Sequence, residues 1–249
     1  LYKFLGGGKP ELKILTTVSV KAVAEMVSDA QLFVAQGFET LKIKVGLNPA
    51  EDIQRLKAIR EAVGDSINIL SDANQGWDAK SALQIIDSLA AHNLGIAMVE
   101  QPVKAWDYAN LKYVRDNSRI PIYADESAFN LRDVSKIIQA QMADGINIKL
   151  MKSGGLYAAR PIYDLATSHN LPCMAGCMLE SPIGLAAMAA FVVGKSNIKF
   201  VDLDPIAMIK SNPVVGGVRL DGATLHLSTG AGLGIENIQG LIPVVTIGA

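Results

Sequence analysis

Short apolar runs with a two-residue period recur along this chain, each followed by a longer stretch of helical periodicity, and that alternation restricts the fold more than any other feature. The runs begin at Leu12 (LKILTTVSV), Thr40 (TLKIKV), Ile67 (INILSDA), Ile96 (IAMVEQ), Ile120 (IPIYADE), Gly145 (GINIKLM), Leu171 (LPCMAGCM) and Ile198 (IKFVDLD). Between them lie amphipathic segments such as AEDIQRLKAIREAVG and AKSALQIIDSLAAHNLG, with polar turns at GLNP, NQGW and NLRD. Strand and helix in alternation wind into right-handed units with a parallel sheet. Eight strands and seven clear helices in 249 residues fit an α/β, TIM-like (β/α)7β barrel over residues 1–209 better than an open doubly wound sheet. From 210 to 249 the alternation stops and the sequence turns Gly-rich, a tail expected to pack against something else.

Composition narrows the function classes. Half the residues are hydrophobic, 19% are charged and the net charge is −1, so the chain can bury a large core. Acidic and basic residues are mixed without a basic stripe, which argues against nucleic acid as a partner. Cys173 and Cys177 are the only cysteines, both in an apolar run, and read as reduced buried thiols in a reducing, cytoplasmic compartment. No apolar stretch reaches the ~20 uncharged residues of a membrane span; the longest is broken by Glu180, Pro182 and Lys195. The first residue is Leu1 rather than Met, which leaves room for a preceding segment.

Barrels of this class carry their chemistry at the C-terminal strand ends. Consecutive candidate strands end on Lys44, Asp72, Glu100, Asp125 and Lys149, spaced 28, 28, 25 and 24 residues apart, one strand–helix unit each time. Charged residues are rarely buried unless paired or bound to a metal. Three carboxylates on neighbouring strands, Asp72, Glu100 and Asp125, form a hard oxygen set suited to Mg²⁺, with Mn²⁺ as a substitute. The strands of Lys44 and Lys149 are four apart in an eight-membered ring, so the two ammoniums are expected to address opposite faces of one bound carbon. A neighbouring cation is expected to lower a lysine's pKa and make it a usable base. Lys42, one pleat below Lys44 on the same face, can supply that field.

Taken in order, KIKVG, SDANQGW, VEQP, ADES and INIKLMKSGG resemble the enolase superfamily, muconate-lactonizing subgroup, and are most similar to dipeptide epimerases of the L-Ala-D/L-Glu type. The resemblance implies Asp72, Glu100 and Asp125 as metal ligands, Lys44 and Lys149 as the acid/base pair and Lys42 as the auxiliary lysine. It implies 1,1-proton transfer at the α-carbon of a dipeptide's C-terminal residue, through an enediolate. A Lys base beside Mg²⁺ and an ene-diolate is the general pattern of this superfamily. VDLDP on the last strand resembles the DxD pair that holds the dipeptide's ammonium, here Asp202 and Asp204. The resemblance also implies an N-terminal α+β capping domain, expected in a separate chain, beyond this sequence or removed, against which the tail would pack. A homo-oligomer is expected as well.

Plainer roles exist for each residue. Lys42 and Lys44 could snorkel from an edge strand; Asp72 could start the DANQG turn; Asp125 or Glu126 could cap the next helix through Ser127 and Asn130; Asp202 and Asp204 could pair with surface lysines. GAGLGIE reads as a turn rather than a phosphate loop, and His92, His169 and His226 as ordinary histidines away from strand ends. The alternatives within the fold are a muconate cycloisomerase, an o-succinylbenzoate synthase or an N-succinylamino acid racemase. Outside it stand a Schiff-base lyase using Lys149 and an inactive, capless binding fragment.

Overall fold

The computed structural model describes residues 1–241. After a short strand β1 (Glu11–Lys13) come eight parallel strands: β2 (Thr16–Val18), β3 (Thr40–Lys44), β4 (Asn68–Asp72), β5 (Ile96–Glu100), β6 (Ile122–Ala124), β7 (Gly145–Ile148), β8 (Cys173–Ala175) and β9 (Ile198–Val201). They pair in chain order. The N–H of Leu15, beside β2, donates to the Val201 carbonyl of β9 at 2.8 Å and curls the sheet onto itself. Helices α1 (Val23–Ala35), α2 (Pro49–Val63), α3 (Ala79–Ala91), α4 (Tyr108–Asn117), α5 (Leu131–Ala140), the short α6 (Leu150–Ser153) with α7 (Leu156–Ser168), and α8 (Pro182–Val192) fill the seven connections. The architecture is the (β/α)7β barrel read from the alternation.

The run from Leu12, expected as one strand, is two. Glu11–Lys13 pairs antiparallel with the tail, and only Thr16–Val18 enters the barrel. Between them Ile14 joins the apolar layer under the helices while Leu15 enters the barrel interior, so one apolar run serves two layers. The run from Leu171 contributes only Cys173–Ala175 to the sheet.

Side-chain alternation divides the core. Leu41, Ile43, Ile69 and Val99 face outward against helix residues such as Leu56, Ile59 and Ile85, each buried aliphatic side chain contributing about 1.5–3 kcal/mol. Leu15, Leu70, Met98, Tyr123 and Met174 plug the interior. Leu70 pairs with Lys42, and two residues on Asp72 pairs with both Lys44 and Glu100. A charged layer therefore lies one pleat above the apolar plug.

Local signals start the helices. Asn48 accepts from the N–H of Ala50 and Glu51 ahead of α2, with Pro49 in the first turn, and Asn130 accepts from Arg132 and Asp133 ahead of α5. Asn130 alone caps α5 by side chain; Asp125 and Glu126 do not. Gly46, after β3, has φ +101° and lies so close to the next strand's exit that a Cβ would stand 2.2 Å from the Ala73 carbonyl oxygen.

Beyond the barrel come β10 (Val214–Gly216), β11 (Val218–Asp221), β12 (Thr224–Leu227) and β13 (Ile235–Ile238). The β11–β12 hairpin joins β1 in a three-stranded sheet and β10 pairs with β13. Val218, Leu225 and Leu227 are buried in the core cluster, where β11 and β12 contact α8. The last part of the expected tail, 242–249, lies outside the described residues. Among those described, no helix is long and apolar enough to cross a membrane.

Candidate active site

Because Leu41 and Ile43 belong to the helix-facing layer, the same strand must turn Lys42 and Lys44 into the barrel mouth. Asp72 and Glu100 close β4 and β5 in register. Asp125 and Lys149 directly follow β6 and β7, Asp202 follows β9, and Asp204 opens a single 3-10 turn, Asp204–Ala207. All eight residues singled out from the sequence thus reach one end of the barrel. The five carboxylates, Lys42 and Lys149 are at most 5% exposed.

Ammonium groups knit the carboxylates together. Lys42 bonds to Asp202 and stands 3.5 Å from Asp72 and 3.7 Å from Glu100. Lys44 donates to Asp72 Oδ2 at 2.6 Å and to Asn74 Oδ1 at 2.7 Å. Lys149 donates to Asp125 Oδ2 at 2.6 Å. Since β3 and β7 are four apart in the ring of eight, Lys44 and Lys149 enter the mouth from opposite sides. Asp204 Oδ2 accepts from the Thr17 N–H at 2.7 Å and the Thr16 hydroxyl at 3.2 Å.

These contacts set the protonation. Burial favours the neutral amine of Lys149, but Asp125 and Glu100 outweigh it and hold the ammonium above its ordinary pKa, with Lys42 as a weaker opposing charge. Lys42 pushes Lys149 in the direction expected of a neighbouring cation, but Asp125 and Glu100 act more strongly. Lys42 behaves alike: against burial, Asp202, Glu100 and Asp72 hold it well above its ordinary value. Asp125 is held well below the usual carboxylate range, Lys152 and Lys149 overcoming burial. Glu100 goes the other way, pushed up to about 8 by burial and by Asp72.

The donor set suits a hard divalent cation. Glu100 is fully buried and its Oε2 has no hydrogen-bond partner among the described residues, a position that costs free energy unless a cation or a proton occupies it. Asp72 and Asp125 have oxygens turned to Lys44 and Lys149, and among the described residues no three carboxylate, imidazole or thiol groups stand ready-made as a metal cluster. Closing Asp72, Glu100 and Asp125 on one ion thus requires the lysines to yield.

Lys152, Asn147 and Asn74 also belong to the site and were not singled out from the sequence. Lys152 is fully buried and donates to Asp125; Asn147 donates to Glu100 Oε1 at 2.6 Å; Asn74, at φ +43°, links Lys44 to Glu126. A signal for Asn147 existed, since it lies two residues before Lys149 and so on the same strand face. His92 and His169 are exposed at helix ends and His226 lies in β12, away from the mouth, and GAGLGIE is a turn leading into β13.

A family model described as enolase C-terminal domain-like matches residues 25–239. This chain belongs to that family. Within it, the chain is 43% identical over 239 residues to an L-Ala-D/L-Glu epimerase of Clostridium acetobutylicum, an alignment covering 96% of this chain and 67% of that protein. A substrate-liganded L-Ala-D/L-Glu epimerase from Bacillus subtilis superposes with a TM-score of 0.93 at 42% identity, over 95% of this chain and 66% of that one. A dipeptide epimerase from Enterococcus faecalis V583, solved with Mg and L-Leu-L-Tyr, superposes at 0.91 with 41% identity, covering 95% and 67%. This enolase-family chain spans about two thirds of the length of the relatives it matches.

Proposed function

We propose that this chain is the barrel of a Mg²⁺-dependent dipeptide epimerase, with Lys44 and Lys149 as its two bases. The observation that carries the proposal is the placement of these lysines on opposed strands with Asp72, Glu100 and Asp125 on the strands between. One lysine takes the α-proton of the dipeptide's C-terminal residue from one face, and the other returns a proton to the opposite face. Lys149, beside Asp125, is the donor in one direction, as the ammonium, and the acceptor in the other, as the neutral amine. When bound, Mg²⁺ supplies stabilisation of the negative charge that develops on the substrate carboxylate; Mn²⁺ suits the same oxygens.

Asp202 and Asp204 follow the last strand, on the far side of the ring from Glu100 on the fourth, and are assigned to the substrate's ammonium. Lys42 bridges the two halves, bonding to Asp202 while facing Asp72 and Glu100, and orders the charged layer rather than touching the reacting carbon.

The test is α-proton exchange in D2O over a dipeptide library with Mg²⁺ present, read by mass spectrometry. Exchange with inversion of the C-terminal residue is expected. Exchange confined to N-succinyl amino acids would replace the epimerase reading with a racemase.

A further inference from the structure

We infer that Lys152 and Asn147 are positioning residues that leave Asp125 and Glu100 one oxygen each to offer a cation; the inference rests on the metal reading above. Lys152 sits on α6, its side chain fully buried. Its Nζ donates at 2.7 Å to Asp125 Oδ1, at 2.7 Å to the Asp125 main-chain carbonyl and at 2.6 Å to the Asn147 carbonyl. An ammonium has three protons, and all three are spent on protein oxygens. The Phe129 ring lies 5.8 Å from the same nitrogen. Lys152 is therefore neither a base for substrate nor a free counter-charge, but a tie between the exits of β6 and β7.

The tie passes through Asn147 to the next ligand. Asn147 Nδ2 donates to Glu100 Oε1 at 2.6 Å. Gly176 makes room for this amide, because a Cβ there would stand 2.6 Å from Asn147 Oδ1. Asp72 follows the same rule through the main chain, its Oδ1 accepting from the Asn74 N–H at 3.0 Å. In each of the three carboxylates one oxygen is taken by a donor other than Lys44 and Lys149. The other oxygens are Asp72 Oδ2, which accepts from Lys44, Asp125 Oδ2, which accepts from Lys149, and Glu100 Oε2, which has no hydrogen-bond partner among the described residues. Partners that orient ligating groups are general in metal sites, and their loss costs about 10–100-fold in affinity or activity. Here they set the number of ligand atoms as well.

The experiment titrates the full chain with Mn²⁺ alone and counts bound waters by EPR in 17O-enriched water. Three single-oxygen carboxylates on a six-coordinate ion leave about three waters in the wild type. In Lys152→Met, Asp125 is free to chelate through both oxygens, so the count is expected to fall to about two, with Mn²⁺ affinity lowered about tenfold. A Lys152 that acts only as a charge predicts the reverse, tighter Mn²⁺ binding with hydration unchanged. Asn147→Leu makes the same test on Glu100 and carries it should Lys152→Met not fold, as judged by circular dichroism. A hydration number of three in the folded variants overturns the inference while leaving the metal reading intact. A wild-type chain that binds no Mn²⁺ overturns both.

Discussion

Replacing Glu100 by Gln is expected to stabilise the metal-free protein while removing its response to Mg²⁺. Burial and the neighbouring Asp72 push the Glu100 carboxyl up from its ordinary 4.5 to about 8, against the weaker opposing charge of Lys42. At pH 7 the unfolded chain has released this proton and the folded one retains it, across a gap of roughly 2.5 units. At about 1.36 kcal/mol per unit, folding then loses about 3 kcal/mol. A raised carboxyl pKa leaves stability intact below pH 4.5 and erodes it as pH rises towards 8. Gln keeps an acceptor for Asn147 and carries no charge. In EDTA, Glu100→Gln is therefore expected to melt about 6–12 °C above wild type at pH 7, at 2–4 °C per kcal/mol for a chain of this size, with the difference vanishing near pH 4. Calorimetry across that range, repeated in saturating Mg²⁺, gives both answers, since the wild type is expected to gain melting temperature from Mg²⁺ and the variant little. A variant that melts below wild type in EDTA at pH 7 would refute the idea that this carboxylate burdens the fold.

The two lysines are separable in D2O: Lys44→Ala is expected to stop α-exchange for one configuration of the C-terminal residue and Lys149→Ala for the other, and complete loss of both exchanges in both variants would leave the two-base mechanism without support. An N-acetyl dipeptide is expected to lose at least ~10²-fold in kcat/KM, about 2.7 kcal/mol, with Asp202→Asn reproducing much of that loss on the free dipeptide; steady-state kinetics decide it. Lys42→Met strips the cation shared by Asp202, Asp72 and Glu100 and is expected to cost about 3–5 kcal/mol in urea melts. Gly46→Ala combines a left-handed φ with a Cβ at 2.2 Å from Ala73 O and is expected to cost about 2–4 kcal/mol; a loss under 1 kcal/mol would mean that the β3 exit loop yields easily.

The strand ends were legible because a strand has a period of two and a βα unit a nearly constant length. KIK, and the carboxylates at the ends of SD, VE and AD, therefore fall on one face of the sheet without any knowledge of the fold. Lys152 escaped for the opposite reason. It lies on α6, beyond the strand pattern, where a lysine ordinarily reads as solvated, and only tertiary packing turns it back beneath Asp125. The sequence also did not show that Glu11–Lys13 leaves the barrel, since its partner in β12 is more than 200 residues away and no local pattern encodes such a pairing.

Closure of the ring has a consequence for how the chain acquires its structure. Lys42 finds Asp202 160 residues later, and Leu15 finds Val201 at the far end of the sheet. A nascent half-barrel ending after β6 would hold Asp125 without Lys149 or Lys152, and Lys42 without Asp202. Its charged layer would be unbalanced in a place where water is being excluded. A partial barrel is thus expected to gain less stability than its apolar content alone would give, until the last strand supplies Asp202.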